Sequence, residues 1–521
     1  MKNKRITGAI MIFFLIVIGA VGIKLILPLF EESQQRATSD AVKIKGKIRI
    51  AMDNWVGYFI LRSPEMKSQM RRIGYLLECE DDNADYSKRM KRLNDGEIDL
   101  AVVTVDSFIL NAAKHNYPGA IVMIIDESKG GDAILARKDK IASLDALKGK
   151  ADIKVAFTPN SPSHHLAKAA ADHFNVPELL PTGNLRIETE GSEKARDKLL
   201  TGKADVAICW EPDVSRALDS KEIIKILGTE DTERLIVDIL VANRKYLQKE
   251  PEAIHLLLSN YFKVLKKYRE TPDLLSKDVR KETGLSKDAV DAMLKGVDWV
   301  NFNENCENWF GISSPGSHAD EGVVDTIEST VKILINTGDF PDSPVPGKDP
   351  YRLINSSFLE SLYTKGTAGF TTPGASVPIA VNSLETKFAP LNEAGWNALK
   401  EVGTLKVEPI LFQQGGSELD LLAKQVVDQA VERLKHYPNF RLVIKGHTDT
   451  RGDQDENLRL SQERAEAVAR YLKITYNVDE NRIRTIGFGG TKPLIQKPDE
   501  SKRAWMYRLP RVEMVLVRDD Y

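Results

Sequence analysis

Two apolar periods alternate along this chain. Short β-branched runs have the pattern of strands: IKGKIRIAM (Ile44–Met52), DLAVVTV (Asp99–Val105), AIVMII (Ala120–Ile125), AILAR (Ala133–Arg137), KVAFT (Lys154–Thr158) and DVAICW (Asp205–Trp210), with LIVDILV (Leu235–Val241) strand-like as well. Between them, SPSHHLAKAAADHF (Ser161–Phe174) and SEKARDKLLTG (Ser192–Gly202) carry helical spacing. Strands separated by helices predict a parallel α/β sheet, and two such sheets linked by crossing strands form a bilobed body with a crevice at the strand ends. Pro251 to about Val300 reads as mostly helical. Gly366 to Leu384 holds no charge and is rich in Gly, Thr, Ser and Pro, which is linker composition. A second α/β unit follows. TLKVEPILF (Thr404–Phe412) is strand-like, with Pro409 marking an edge or a bulge. Leu419, Leu422, Val426, Ala430 and Leu434 form an apolar helical stripe; RLVIKGH (Arg441–His447) reads as a strand, Leu460–Leu472 as a helix and PRVEMVLV (Pro510–Val517) as the last strand. There is no internal repeat.

The start of the chain follows neither period. MKNKR is basic, and Ile6 to Ile23 then runs 18 residues without a charge. At roughly 1.5 Å per residue that run spans about 27 Å, close to the hydrocarbon thickness of a bilayer. Lys24 interrupts it, but LILPLF (Leu25–Phe30) continues it, and an edge lysine can snorkel. Ala20-Val21-Gly22 offers a small-residue cleavage site, but cutting there leaves IKLILPLF as an exposed apolar terminus. An uncleaved transmembrane anchor over residues 1–30 is therefore expected. Lys2, Lys4 and Arg5 before the span, against Glu31 and Glu32 after it, predict a cytoplasmic tip and an exported remainder.

Composition narrows the classes. The 521 residues carry 73 Lys plus Arg against 75 Asp plus Glu, a net charge of −2, and 42% are apolar. This excludes a disordered or polytopic membrane chain and gives no reason to expect a nucleic-acid partner. Cys79, Cys209 and Cys306 are too few and too scattered for a disulfide framework or a cysteine metal site.

In the second unit, GHTDTRGDQDENLRLSQERAEAVARYL (Gly446–Leu472) closely resembles the peptidoglycan-binding OmpA-like domain. ILF (Ile410–Phe412), GFGGTKP (Gly487–Pro493) and RVE (Arg511–Glu513) fall in the order of that family. The resemblance implies a site for the diaminopimelate of a peptidoglycan stem, made by Asp449 and Arg464 with Asn457 and Thr448 beside them. The chemistry agrees: diaminopimelate offers an ammonium and a carboxylate, for which Asp449 in a turn and Arg464 on the next helix are suitable partners. Taken alone, the same two residues would sooner read as a turn residue and a solvated helix face. Gly487, Gly489 and Gly490 read as turn glycines rather than a phosphate cradle. One departure is Leu509-Pro510-Arg511-Val512-Glu513, where the family usually has NRRVE.

Residues 46 to about 364 resemble extracytoplasmic solute-binding proteins of the nitrate, sulfonate and thiamine-precursor type. The resemblance lies in DNWVGY (Asp53–Tyr58), GEIDLAVVTVDSF (Gly96–Phe108), DESKGGDAILAR (Asp126–Arg137), SLDALKGK (Ser143–Lys150), ADVAICWEP (Ala204–Pro212), NENCENWFG (Asn303–Gly311) and DPYRLINSSFLESL (Asp349–Leu362). It implies a type 2 periplasmic-binding fold with ligand between the lobes. Candidate contacts are Trp55, Tyr58, Asp106, Ser107, Trp210 and Glu211 at strand ends, Ser161 and Ser163 at a helix start, Ser128 in a loop before a glycine pair, and Asp238 in the strand-like run LIVDILV (Leu235–Val241). Strand-end aromatics also serve as core, and helix-start serines as caps. The acidic members favour a cationic or hydroxylated ligand, whereas the Ser161–Ser163 helix start favours an anion. FILRSPEMKSQM (Phe59–Met70) departs from the small and glycine residues usual after the first motif, so the ligand class does not carry over.

Catalysis is not expected. The cysteines are too far apart for the iron chemistry of one branch of the superfamily, and His164 and His165 are adjacent and point to different helix faces. No cofactor or metal is expected. The expected order is anchor (1–30), bilobed solute-binding body (44–364), linker (365–395) and stem-binding unit (396–521). That order implies a single-pass inner-membrane protein of a diderm bacterium with its C-terminal domains in the periplasm. Its partners are expected to be peptidoglycan, a small solute and the inner membrane, with a membrane permease or another envelope protein as a further class. Two alternatives have the same parts: the binding component of an ABC transporter, and an envelope scaffold that takes no small ligand.

Overall fold

The computed structural model describes residues 44–313, 319–366, 369–370, 383–410, 412–413 and 415–519. The apolar N-terminal run and most of Gly366–Leu384 lie outside them. No helix among the described residues is long and apolar enough to cross a membrane.

The chain builds β1 (Gly46–Met52), β2 (Tyr75–Asp81), β3 (Leu100–Thr104), helix α1 (Val105–Ala112) and β4 (Gly119–Ser128) in a first lobe. It then crosses within three residues into a second lobe. There it forms β5 (Asp132–Arg137), β6 (Val155–Phe157), α2 (Pro162–Phe174), β7 (Arg186–Glu188), β8 (Val206–Trp210) and β9 (Ile223–Gly228). A second crossing returns it as β10 (Val237–Asn243), the long helix α3 (Pro251–Glu270), β11 (Val297–Trp299) and α4 (Gly322–Asn336). The first sheet has the order β11-β4-β10-β3-β1-β2 and the second β7-β6-β8-β5-β9.

The sheets are mixed rather than parallel as expected. β1 pairs parallel with β2 and β3, but β10 lies antiparallel between β3 and β4 because it re-enters the lobe from the opposite end. In the second lobe β5 runs antiparallel to β8 and β9 for the same reason. Every residue of β3, β4 and β10 is buried, which accounts for their near-continuous apolar runs under helices on both faces.

The C-terminal unit consists of β12 (Lys400–Leu405), α5 (Leu421–Leu434), β13 (Arg441–His447), α6 (Gln454–Tyr476), β14 (Ile483–Gly487) and β15 (Arg511–Arg518). Its sheet has the order β12-β15-β13-β14. Three local readings need correction. The strand expected over Thr404–Phe412 ends at Leu405: the Lys406 amide donates to the carbonyl of His173 in the second lobe (2.7 Å), and Pro409 has no N–H to continue a ladder. In α5 the buried row is Ala423, Val427, Ala430, Val431 and Leu434, whereas Leu422 is exposed. Helix α6 is longer than Leu460–Leu472, because the Asp453 carboxylate caps it by accepting from the Glu456 amide at 3.0 Å.

The C-terminal unit docks on the second lobe and on the returning crossing. Leu144, Phe174 and Leu179 share one apolar cluster with Val402, Leu405, Tyr437 and Phe440. Gly403 lies so close to the lobe that a Cβ there would meet the Phe174 ring at 2.7 Å. His173 Nδ1 and the Tyr437 hydroxyl are 2.8 Å apart, and Thr404 Oγ1 donates to Asp145 at 2.8 Å. On the crossing, the Glu233 amide donates to the His436 carbonyl (3.0 Å), Asn439 Nδ2 donates to the Glu230 carbonyl (3.2 Å), and Arg518 pairs with Asp231.

Candidate functional site

The crevice between the lobes is walled by side chains that the two sheets bring from opposite directions. Trp55 and Tyr58 follow β1, Asp238 lies in β10, Trp210 ends β8, and they meet Asp53, Tyr86, Asp132, Pro162 and Ile236 around a cavity of about 20 Å³. That space is on the order of a single water. The Trp55 ring lies against the first crossing: a Cβ on Gly131 would come within 2.1 Å of it, so only glycine fits there.

Hydrogen bonds fix the wall. The Tyr58 hydroxyl donates to Asp238, and Trp55 Nε1 donates to Asp126 at 3.2 Å. Asp53 accepts from the Trp55 amide (3.1 Å), the Tyr86 hydroxyl (3.3 Å) and Arg89 (3.2 Å). Arg89 is fully buried, with its remaining bonds going to Asp82 and the Val102 carbonyl. Asp126 and Asp238 are cross-strand neighbours on β4 and β10. One oxygen of Asp126 and one of Asp132 are buried without a hydrogen-bond partner.

Burial raises these acids. The Asp126 and Asp132 carboxyls are pushed from 3.8 up to about 7, and Asp238 is held well above the usual carboxylate range by burial and by Asp126. Between pH 3.8 and about 7 the folded protein therefore holds protons that the unfolded chain releases, so this region loses stability as pH rises through that window. Asp132→Asn removes one such group. Its thermal midpoint is expected to gain on wild type as pH rises from acid to neutral; parallel pH profiles for the two proteins would contradict this.

The other sequence candidates are placed differently. Ser128 belongs to the crossing, where its hydroxyl meets Asp132 (2.7 Å) and Thr229 Oγ1 (2.8 Å). The Thr229 hydroxyl also accepts from the Gly130 and Asp132 amides, tying the two crossings together. Ser161 is spent as the cap of α2, accepting from the His164 amide and donating to the Thr158 carbonyl. Ser107 bridges the lobes by donating to the Asn160 carbonyl at 3.2 Å, beside buried Asp106. Glu211 folds back onto the helix that follows it (Asp213–Leu218), accepting from the Ser215 amide and hydroxyl. Ser163 is buried with its hydroxyl unpartnered. Asp53, Tyr86, Asp126 and Asp132 were not singled out from the sequence, although a DES ending inside an otherwise apolar strand is a signal for buried acids. No group of three or more His, Cys, Asp or Glu among the described residues is arranged to hold a metal ion.

In the C-terminal unit, Thr448 and Asp449 leave the end of β13, and Arg464 projects from α6. Gly446 lets that helix lie against the strand, since a Cβ there would meet the Ser461 carbonyl at 2.0 Å. Asp449 accepts from the Arg451 amide (2.8 Å) and guanidinium (2.7 Å), Asn457 Nδ2 donates to the Arg451 carbonyl (2.7 Å), and the Thr448 amide donates to Gly489 (2.9 Å). Arg464 is buried, lies 4.9 Å above the Phe412 ring, and donates to the carbonyls of Gly416 (3.0 Å) and Gln413 (3.4 Å). Its bonded partners are thus backbone carbonyls rather than a carboxylate. Arg511, in the departing LPRVE segment, donates to Glu513 (2.7 Å) and to the Leu509 carbonyl (3.1 Å).

Residues 411–505 match the OmpA family, and the C-terminal unit is an OmpA domain. The chain is similar to the peptidoglycan-associated lipoprotein of Rhizobium meliloti, 36% identical over 85 residues (16% of this chain, 48% of that protein). It is similar to the Brucella melitensis protein of the same name, 32% identical over 127 residues (24% and 61%), and to the peptidoglycan-binding protein ArfA of Mycobacterium bovis, 32% identical over 108 residues (21% and 32%). The chain thus spans about half to three fifths of the first two relatives. Among solved structures, it is similar to the aliphatic sulphonate binding protein SsuA of Escherichia coli (17% identity, TM-score 0.45, 59% of this chain and 98% of that one). It is also similar to the nitrate-binding protein NrtA of Synechocystis PCC 6803 (12%, TM-score 0.45, 64% and 91%).

Proposed function

We propose that this chain is an envelope protein that grips the diaminopimelate of a peptidoglycan stem with its OmpA domain and takes a small solute between its two lobes. The apolar run at residues 1–30 is its membrane anchor. The observation that carries the wall-binding role is the state of Arg464. A guanidinium held over a phenyl ring and bonded, among the described residues, to two backbone carbonyls is preorganised for a carboxylate, which replaces them with charge-assisted bonds. Asp449 is occupied by the exposed Arg451, a pairing worth little in water, so a ligand ammonium displaces it at small cost. Thr448 and Asn457 hold the turn that presents Asp449. The solute role is supported by the two crossings and by the aromatic and acidic wall between the lobes.

The test is co-sedimentation of the detergent-solubilised full chain with sacculi. Diaminopimelate-type sacculi are expected to retain it, and lysine-type sacculi, which lack the second carboxylate, to retain roughly tenfold less or lower still. Equal retention on both would sink the diaminopimelate assignment.

A further inference from the structure

The chemical class of the solute follows from what faces the interlobe cavity, given the reading of that crevice as a solute site. Asp53, Asp132 and Asp238 line it, with Asp126 behind Trp55. Asp132 is almost fully buried, contributes to the cavity wall, and has one carboxylate oxygen without a partner. The charged groups acting most strongly on Asp126, Asp132 and Asp238 are other carboxylates: Asp53, Asp106, Glu211 and Asp298, besides the three themselves.

Nearby cations are committed elsewhere. Arg89 is divided between Asp53 and Asp82, and Lys129 on the crossing is bound to Glu127 and to the Thr232 carbonyl. Among the described residues, an anion entering this space would meet a wall of acid groups whose neighbouring cations already have partners. Besides Pro162 and Ile236, the remaining wall is aromatic, made by Trp55, Tyr58, Tyr86 and Trp210, whose ring faces attract positive charge. At the α2 start the Ser161 hydroxyl already accepts from the His164 amide, one of the amides that would favour an anion there.

We infer that the crevice takes a small organic cation, its ammonium or guanidinium seated against Asp132 and Asp238 and its carbon atoms between Trp55 and Trp210. A cation bound there supplies the counter-charge that these acids otherwise replace with protons. Entry requires the lobes to part, since the cavity as it stands is on the order of one water.

Isothermal titration calorimetry on the full chain, with tryptophan fluorescence in parallel, tests this with choline, putrescine and agmatine in one arm. Methanesulfonate, nitrate, inositol and calcium chloride form the second arm. Binding of at least one organic cation is expected, weakened roughly tenfold or more by Asp132→Asn. Trp210→Leu is expected to weaken it as well, and circular dichroism checks the fold of both variants. Binding confined to methanesulfonate, nitrate, inositol or calcium overturns the cationic assignment and leaves the solute-site reading standing. Cation binding that is indifferent to both folded variants overturns the placement in this crevice. Silence in every arm with folded protein overturns the solute-site reading and this inference together.

Discussion

Replacing Arg464 with alanine is expected to release the chain from diaminopimelate-type peptidoglycan. The guanidinium is preset over Phe412, so little conformational freedom is lost when a stem carboxylate arrives, and two parallel N–H···O bonds form in place of two carbonyl contacts. Removing one partner of such a pair costs about 2–5 kcal/mol, more than tenfold in affinity at the lower limit. Arg464→Lys keeps the charge but not the fork, and is expected to recover only part of the loss. Sedimentation isotherms of the three proteins would decide the matter: alanine binding as well as wild type leaves no role for Arg464 in the grip. Melting curves separate lost binding from lost fold, because Arg464 also holds the backbone at Gln413 and at Gly416.

The second large effect concerns stability. Arg89 is fully buried and bridges Asp53 to Asp82, so Arg89→Met leaves two buried acids facing one another without a cation. Breaking a buried ion pair by removing one side typically costs about 3–5 kcal/mol. The double variant Arg89→Met, Asp82→Asn is expected to recover part of this, since it removes one stranded charge. A melting midpoint for Arg89→Met within a degree or so of wild type would show that the pair is dispensable. Asp53 is held in the crevice wall by this arginine, so the same substitution is also expected to disturb the position of Trp55, whose amide Asp53 accepts.

Much of the architecture was legible because the central strands are buried on both faces. β1, β3, β4, β5, β6, β8, β10, β13 and β15 each show as an apolar run. β2 (YLLECED) was not visible, since an edge strand mixes polar residues into its pattern, and β7 (RIE) and β11 (VDW), three residues each with a charge among them, carry too little signal. Strand direction is absent from local pattern altogether, which is why the antiparallel β10 came as a correction. In the crevice, strand-end aromatics could be read from their position, but Asp126 and Asp132 resemble ordinary strand boundaries until their burial is known. The docking of the OmpA domain was equally hidden: Phe174, Leu179 and Leu405 read as interior residues of separate units, and only their shared cluster reveals a joint.

That joint has a mechanical meaning. If the first thirty residues hold the bilayer and the OmpA domain holds the wall, tension between the two layers passes through the body rather than around it. The load enters at Val402, Leu405 and Tyr437 on one side, and at Asp231 and Glu233 on the other. The latter pair sits on the short segment between β9 and β10, where any parting of the lobes must bend the chain. On that reading, the spacing of wall from membrane bears directly on the fulcrum of the crevice.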